Sequence, residues 1–247
     1  MKLFGNKYFL AFEVAAVIFV NMMATLIPLN GRTTAQISDS LPNLFVPAGY
    51  VFSVWGLIYL GLIAVCVSQF MKNPAKMKPT FWEFFFVATV TNILWIIAWH
   101  YGYRLASLMV MVALLISLIA MYLQSAGQKK MTRLITVPMS IYLGWISVAT
   151  IANAAVVFKF EFGFTGAGLS EGVWAGLMIL IAGFLAVLIL KSHRDWIYSL
   201  VILWAVIGIL VKNGSDFSIA FSGLIAILMV AAAMFLFLRN IPAKSRR

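Results

Sequence analysis

A chain of 247 residues in which 64% are hydrophobic, 15% aromatic and only 10% charged cannot solvate a water-soluble surface, because soluble domains carry about 25% charged residues. The composition excludes a soluble fold and reads as an all-α, polytopic integral membrane helix bundle whose first partner is the lipid bilayer. The formal net charge of +11 points to no nucleic-acid partner, since membrane chains place Lys and Arg according to topology.

A helix needs roughly 20 apolar residues to cross the hydrocarbon, and eight runs are candidates: residues 8–29, 49–71, 81–100, 105–123, 134–158, 173–190, 196–211 and 217–238; the seventh is short and closely followed by the eighth, which leaves seven crossings as the alternative count. The first run follows Lys2 and Lys7 and exceeds the roughly 7 to 15 residues of a secretory signal core. It reads as an uncleaved first helix. After it comes the longest non-apolar stretch, Asn30 to Pro47, broken by Gly31, Pro42 and Asn43 and long enough to fold back over the bundle. A second long loop, Lys159 to Gly172, carries Gly163, Gly166 and Gly168 and divides the chain into a five-helix domain, 1–158, and a three-helix extension, 159–247, with a short basic tail. Gly168, Gly172 and Gly176 have the four-residue spacing of close helix packing, although the first two read as loop.

Alternating the runs across the membrane puts 14 of the 18 Lys and Arg on one side and leaves Arg32, Arg104, Lys159 and Lys212 on the other. The bias predicts that both termini are cytoplasmic, in a plasma membrane of the bacterial inner-membrane kind. Lys129, Lys130 and Arg133 and the basic tail then read as topology determinants and anionic-lipid contacts. A lone Cys66 permits no intramolecular disulfide, and two histidines, His100 and His193, make a metal site improbable. No acid/base pair or nucleophile constellation is present, so a conventional catalyst is not expected, no catalytic residue is assigned, and no cofactor is required.

Three of the runs combine Trp, Tyr and Asn at helical spacing. In the fifth, Tyr142, Trp145, Ala149 and Asn153 fall at offsets 0, 3, 7 and 11, one continuous helix face. In the third, Asn92, Trp95 and Trp99 recur at 0, 3 and 7; in the second, Trp55 and Tyr59 are one turn apart. An amide in hydrocarbon must find a hydrogen-bond partner, so Asn92 and Asn153 are expected to point inward and to bring the indoles with them. Core packing and a ligand pocket both explain such faces. Trp82, Trp174 and Trp196, at run ends, fit an interfacial belt instead. Glu13, in the first run, is an intramembrane ionisable group that could also stand near the cytoplasmic interface, and His100 reads as interfacial.

These segments resemble the tryptophan-rich sensory proteins, the TspO or translocator protein family. The run from Phe45 to Tyr59 is similar to the family's second-helix signature, Asn92 and Trp95 to its third-helix Asn-x-x-Trp, and Pro138 to Asn153 to its fifth-helix pattern. The resemblance covers residues 8 to 158 and leaves three further helices beyond the five-helix core. It implies a pocket for a flat hydrophobic ligand, a porphyrin or haem or a sterol-like molecule, lined by Trp55, Tyr59, Asn92, Trp95, Trp99, Tyr142, Trp145, Ala149 and Asn153, with Asn30 to Pro47 as its lid. The implied role is receptor, sensor or carrier, with a homodimer as the self-association it allows. Two alternatives stay open: a membrane permease for a small hydrophobic or amphipathic substrate, and light-dependent porphyrin breakdown.

Overall fold

A computed structural model describes residues 4–74, 76–126, 133–164 and 166–239. Lys2, Lys129, Lys130, Lys244, Arg246 and Arg247, counted above as topology signals, lie outside the described residues. Among those described, the long elements are all helices: α1 (Lys7–Leu26), α2 (Thr34–Asp39), α3 (Val54–Ser68), α4 (Pro79–His100), α5 (Arg104–Ala126), α6 (Arg133–Phe160), α7 (Glu171–His193), α8 (Trp196–Asn213) and α9 (Phe217–Arg239). All but α2 are long and apolar enough to cross a membrane, α3 together with the turn Gly49–Ser53 that leads into it. The architecture is the polytopic helical bundle read from composition.

The helices start where local chemistry supplies their orphan N–H groups. Asn6 accepts from the Tyr8 N–H at 2.9 Å, Asp195 from Ile197 and Tyr198, and Asp216 from Ser218 and Ile219. Each is a side-chain cap of the kind that stabilises a helix by about 1 kcal/mol. The short α2 opens on a reciprocal capping box between Thr33 and Gln36, so the first loop is partly helical rather than irregular.

The chain divides into two compact units. The first runs up to Pro42 and resumes over Phe52–Phe164; the second joins Asn43–Val51 to the chain after Phe164. In the first, α4 packs on α5, α5 on α6, α3 on α6, and α1 on both α3 and α4. Gly61 sets the α3–α6 approach: a Cβ there would stand 2.8 Å from the Pro138 Cβ, closer than side chains tolerate. Phe12, Phe19, Leu57, Leu60, Met109 and Ile116 lie on the outward faces. An exposed apolar face of this kind suits a helix whose solvent is lipid.

In the second unit α7 lies along α9. Gly172 and Gly176 belong to α7, and a Cβ at Gly172 would overlap the Asp216 carboxylate while one at Gly176 would meet the Ser222 hydroxyl. Gly172, expected in the loop, is therefore a packing glycine, because its helix already begins at Glu171 behind the Ser170 cap. Gly168 does stay in the loop, with φ of +86°, a left-handed conformation that glycine adopts without strain.

Candidate functional site

The three aromatic faces meet inside the first unit. α3 contributes Trp55 and Tyr59, α4 contributes Asn92, Trp95 and Trp99, and α6 contributes Tyr142 and Trp145. Their rings form a near-parallel column. Tyr59 and Trp55 are 5.9 Å apart between centroids at 21°, Trp55 and Trp95 6.0 Å at 24°, and Trp95 and Trp99 6.1 Å at 23°. Tyr142 and Trp145 meet Trp55 edge-on, at 6.1 and 6.4 Å, and Phe52 meets Trp145 edge-on at 5.6 Å. Offset-stacked and edge-on pairs are the favoured arrangements of aromatic quadrupoles. Helical spacing produces the column, because residues three or four apart stand one above another.

A buried amide chain fixes the same helices. Asn21 of α1 donates to the Asn92 side-chain oxygen at 2.8 Å and to the Val17 carbonyl at 2.9 Å. Asn92 donates in turn to the Tyr142 hydroxyl at 2.9 Å. Asn92 is fully enclosed, so replacing it by Leu strands the Asn21 amide and the Tyr142 hydroxyl without their shared partner. Losing such a group costs about 1 to 3 kcal/mol. Asn92→Leu should accordingly lower the thermal midpoint in detergent while Asn92→Gln keeps part of it, and an unchanged midpoint for Asn92→Leu would show that the chain carries no stability.

Asn153 and Ala149 stand apart from the column. The Asn153 carbonyl accepts from the Ser107 hydroxyl of α5 at 3.1 Å, and Ala149, one turn beyond Trp145, is only half-buried. Asn21 and Phe52 join the site without having been singled out for it from sequence. For Asn21 a signal existed: Glu13, Val17 and Asn21 lie at offsets 0, 4 and 8, one buried face of α1.

At the outer end the first loop meets α4. Trp99 donates its indole N–H to the Thr34 carbonyl at 3.4 Å, and Asn30 donates to the His100 carbonyl at 3.0 Å. His100, at the end of α4, is buried, its Nδ1 lying 2.8 Å from the Ile96 carbonyl. Among the described residues, no three His, Cys, Asp or Glu side chains gather as a metal would require.

Several buried polar atoms here have no partner. They include the indole N–H groups of Trp95 and Trp145, the Asn153 side-chain NH₂, the His100 Nε2 and one carboxyl oxygen of Glu13. The first three are all donors and lie on the two helices, α4 and α6, that carry most of the aromatic faces. A small cavity of about 10 Å³ borders Tyr142, lined also by Val17, Leu62, Phe85, Thr89 and Met139. That is room for about one water molecule, against the roughly 300 to 1,000 Å³ of a drug-sized ligand site. Trp55 is in ring contact with four neighbours. A flat molecule therefore reaches its indole only by parting rings that now touch. The arrangement can stack a conjugated system and donate hydrogen bonds to it.

A sequence-family model described as TSPO-like protein matches residues 7–238. The match runs from α1 into α9 and so takes in the last three helices as well as the first five spans. No curated protein and no solved structure matches the chain.

Proposed function

The chain belongs to the TSPO-like protein family, and on that premise we propose that this multi-pass membrane protein binds a flat, conjugated, acceptor-bearing molecule, a tetrapyrrole before a sterol, among the indoles of α3, α4 and α6. The observation that carries this reading is a pair of unpartnered donors within the aromatic cluster: the Trp95 and Trp145 indoles each present a buried N–H that no acceptor answers. An unmade hydrogen bond in the interior costs about 1 to 3 kcal/mol. A ligand with carboxylates or carbonyls on a conjugated plate satisfies these donors and stacks on the indoles at once, whereas a sterol offers a single hydroxyl and no π-face.

Protoporphyrin should quench the intrinsic tryptophan fluorescence saturably. Trp145→Phe keeps a ring and loses the N–H, so it should weaken binding by about tenfold, the equivalent of one hydrogen bond near 1.4 kcal/mol. Quenching that survives undiminished in both Trp145→Ala and Trp55→Ala would place the ligand elsewhere and end this reading.

We further propose that both termini face the cytoplasm, the side that the basic residues favour. Alkaline phosphatase fused after Arg239 should be inactive and fused within Glu161–Ser170 active; the reverse pattern would overturn the orientation.

One observation favours a carrier over a static receptor. Glu13 is 4% exposed on the inward face of α1, with a carboxyl oxygen that has no partner, and an ionisable group in that position is a default candidate for proton coupling. Glu13→Gln should retain porphyrin binding and abolish any pH-driven uptake into proteoliposomes. Uptake with an unaltered pH dependence in that variant would remove the carrier reading.

A further inference from the structure

The first loop is held in two different ways along its length. Up to Pro42 it bonds within the first unit: Asn30 to the His100 carbonyl, the Thr34 carbonyl to Trp99, and the Pro42 carbonyl to the Lys159 ammonium at 2.7 Å. From Asn43 to Val51 it belongs to the second unit, where it lies along α8 in the opposite chain direction. Asn213, at the end of α8, donates to the Leu44 and Val46 carbonyls at 2.9 and 3.1 Å. The Ala48 N–H donates to the Gly208 carbonyl at 3.0 Å. Trp204 donates to the Val51 carbonyl at 3.2 Å, and the Tyr50 ring stands edge-on to its indole at 5.2 Å. As the segment runs from 44 to 51, its partners on the helix run from 213 back to 204.

Gly208 is what allows the contact. A Cβ at this position would overlap the Val51 side chain and stand 3.3 Å from the Pro47 Cβ. The helix thus offers a notch at its middle, a carbonyl within the notch, and a donor side chain at each end. Phe45 and Val51 are fully buried, so the segment is seated by packing as well as by hydrogen bonds. The next residue, Phe52, is the ring that packs on Trp145, and Trp55 follows three positions later.

We propose that α8 is a latch for the end of the first loop: Asn213, Gly208 and Trp204 hold residues 43–51 in place, and release of this strap frees Phe52, the next residue in the chain. Asn213, Gly208 and Trp204 are positioning residues, acting through the strap and not on a ligand. The latch does not rest on the aromatic cluster being a ligand site.

The test uses the full chain in detergent, with Cys66→Ser to remove the lone thiol and Phe52→Cys as a reporter. Gly208→Ala fills the notch while favouring helix, and Asn213→Ala removes two hydrogen bonds without adding bulk, so a folding failure in one leaves the other to report. Hydrogen exchange of residues 44–51 should accelerate by about tenfold in either variant, the effect of losing one net hydrogen bond. Maleimide labelling of Phe52→Cys should accelerate with it. Unchanged exchange in the strap would overturn the latch, and faster exchange with unchanged labelling would overturn its hold on Phe52. Accelerated exchange and labelling in a protein that protoporphyrin fails to quench would sink the proposed ligand and leave the latch standing.

Discussion

Trp55→Ala should lower the thermal midpoint further than any other single tryptophan-to-alanine change in the first unit, with loss of porphyrin quenching in the same variant. The indole is in ring contact with Tyr59, Trp95, Tyr142 and Trp145, rings carried by α3, α4 and α6. Truncating a buried Trp to Ala costs about 3 to 5 kcal/mol in soluble cores, and each aromatic pair contributes about 0.5 to 1.5 kcal/mol beyond its burial. Trp55→Phe keeps a stacked ring and should recover a part of the loss. Trp196→Ala provides the contrast: that indole is 47% exposed at the start of α8, and its removal should change stability by no more than about 0.5 kcal/mol. Midpoints measured by fluorescence-detected size exclusion would separate the two. A Trp55→Ala protein as stable as Trp196→Ala would mean that the rings touch without holding the helices together.

The second large effect is expected at Gly61, and its sign depends on a neighbour rather than on the residue. A Cβ at Gly61 would stand 2.8 Å from the Pro138 Cβ, 3.2 Å from its Cγ and 3.3 Å from its Cα. The pyrrolidine ring cannot rotate out of the way, so the helices themselves must separate. Overpacking of this kind costs about 1 to 3 kcal/mol and occasionally more. Gly56, five residues earlier in α3, has nothing within 4 Å of the same position, and there alanine gains up to about 1 kcal/mol of helix propensity over glycine. Gly61→Ala should therefore destabilise and Gly56→Ala should be neutral or stabilising. Because α3 and α6 carry Trp55 and Trp145, Gly61→Ala should also weaken porphyrin quenching while Gly56→Ala leaves it intact. Equal midpoints for the two variants would show that α3 and α6 have slack at their contact.

What the sequence discloses follows from the range over which each feature is encoded. The eight candidate crossings among the described residues are local: a run of apolar residues of sufficient length can do little else in lipid, and the structural helices begin and end within a few residues of those runs. The aromatic column is nearly as legible, since Tyr142 and Trp145, Asn92 and Trp95, and Trp55 and Tyr59 share faces by arithmetic alone. The same arithmetic also places Asn153 with Trp145, yet the Asn153 carbonyl bonds to Ser107 of α5. Periodicity fixes the stripe on a helix but not which neighbour stands opposite each level of it. The helical part of the first loop was encoded in Thr33 and Gln36 at capping-box spacing; its six residues were too few for an apolar period to show.

The strap on α8 could not have been read. Its contacts join residues some 150 or more positions apart, Val51 with Trp204 and Leu44 with Asn213, and neither partner carries a periodic signal for the other. Gly208 within an apolar helix reads as a generic packing residue until the side chain that occupies its missing volume is known. The unpartnered indole N–H groups are invisible for a related reason: a Trp in a sequence announces a donor, and only the assembled fold shows that the donor has nothing to bond.

That last feature provides the most direct measurement. With tryptophan labelled at the indole nitrogen, the eight Nε1–H resonances can be assigned by single Trp→Phe variants and followed as protoporphyrin is added. The Trp95 and Trp145 resonances should move downfield and gain protection from solvent exchange as their N–H groups find acceptors, while Trp174 and Trp204, already bonded to the Gly166 and Val51 carbonyls, stay in place. Saturating protoporphyrin that leaves the Trp95 and Trp145 signals where they were would contradict the account at its centre.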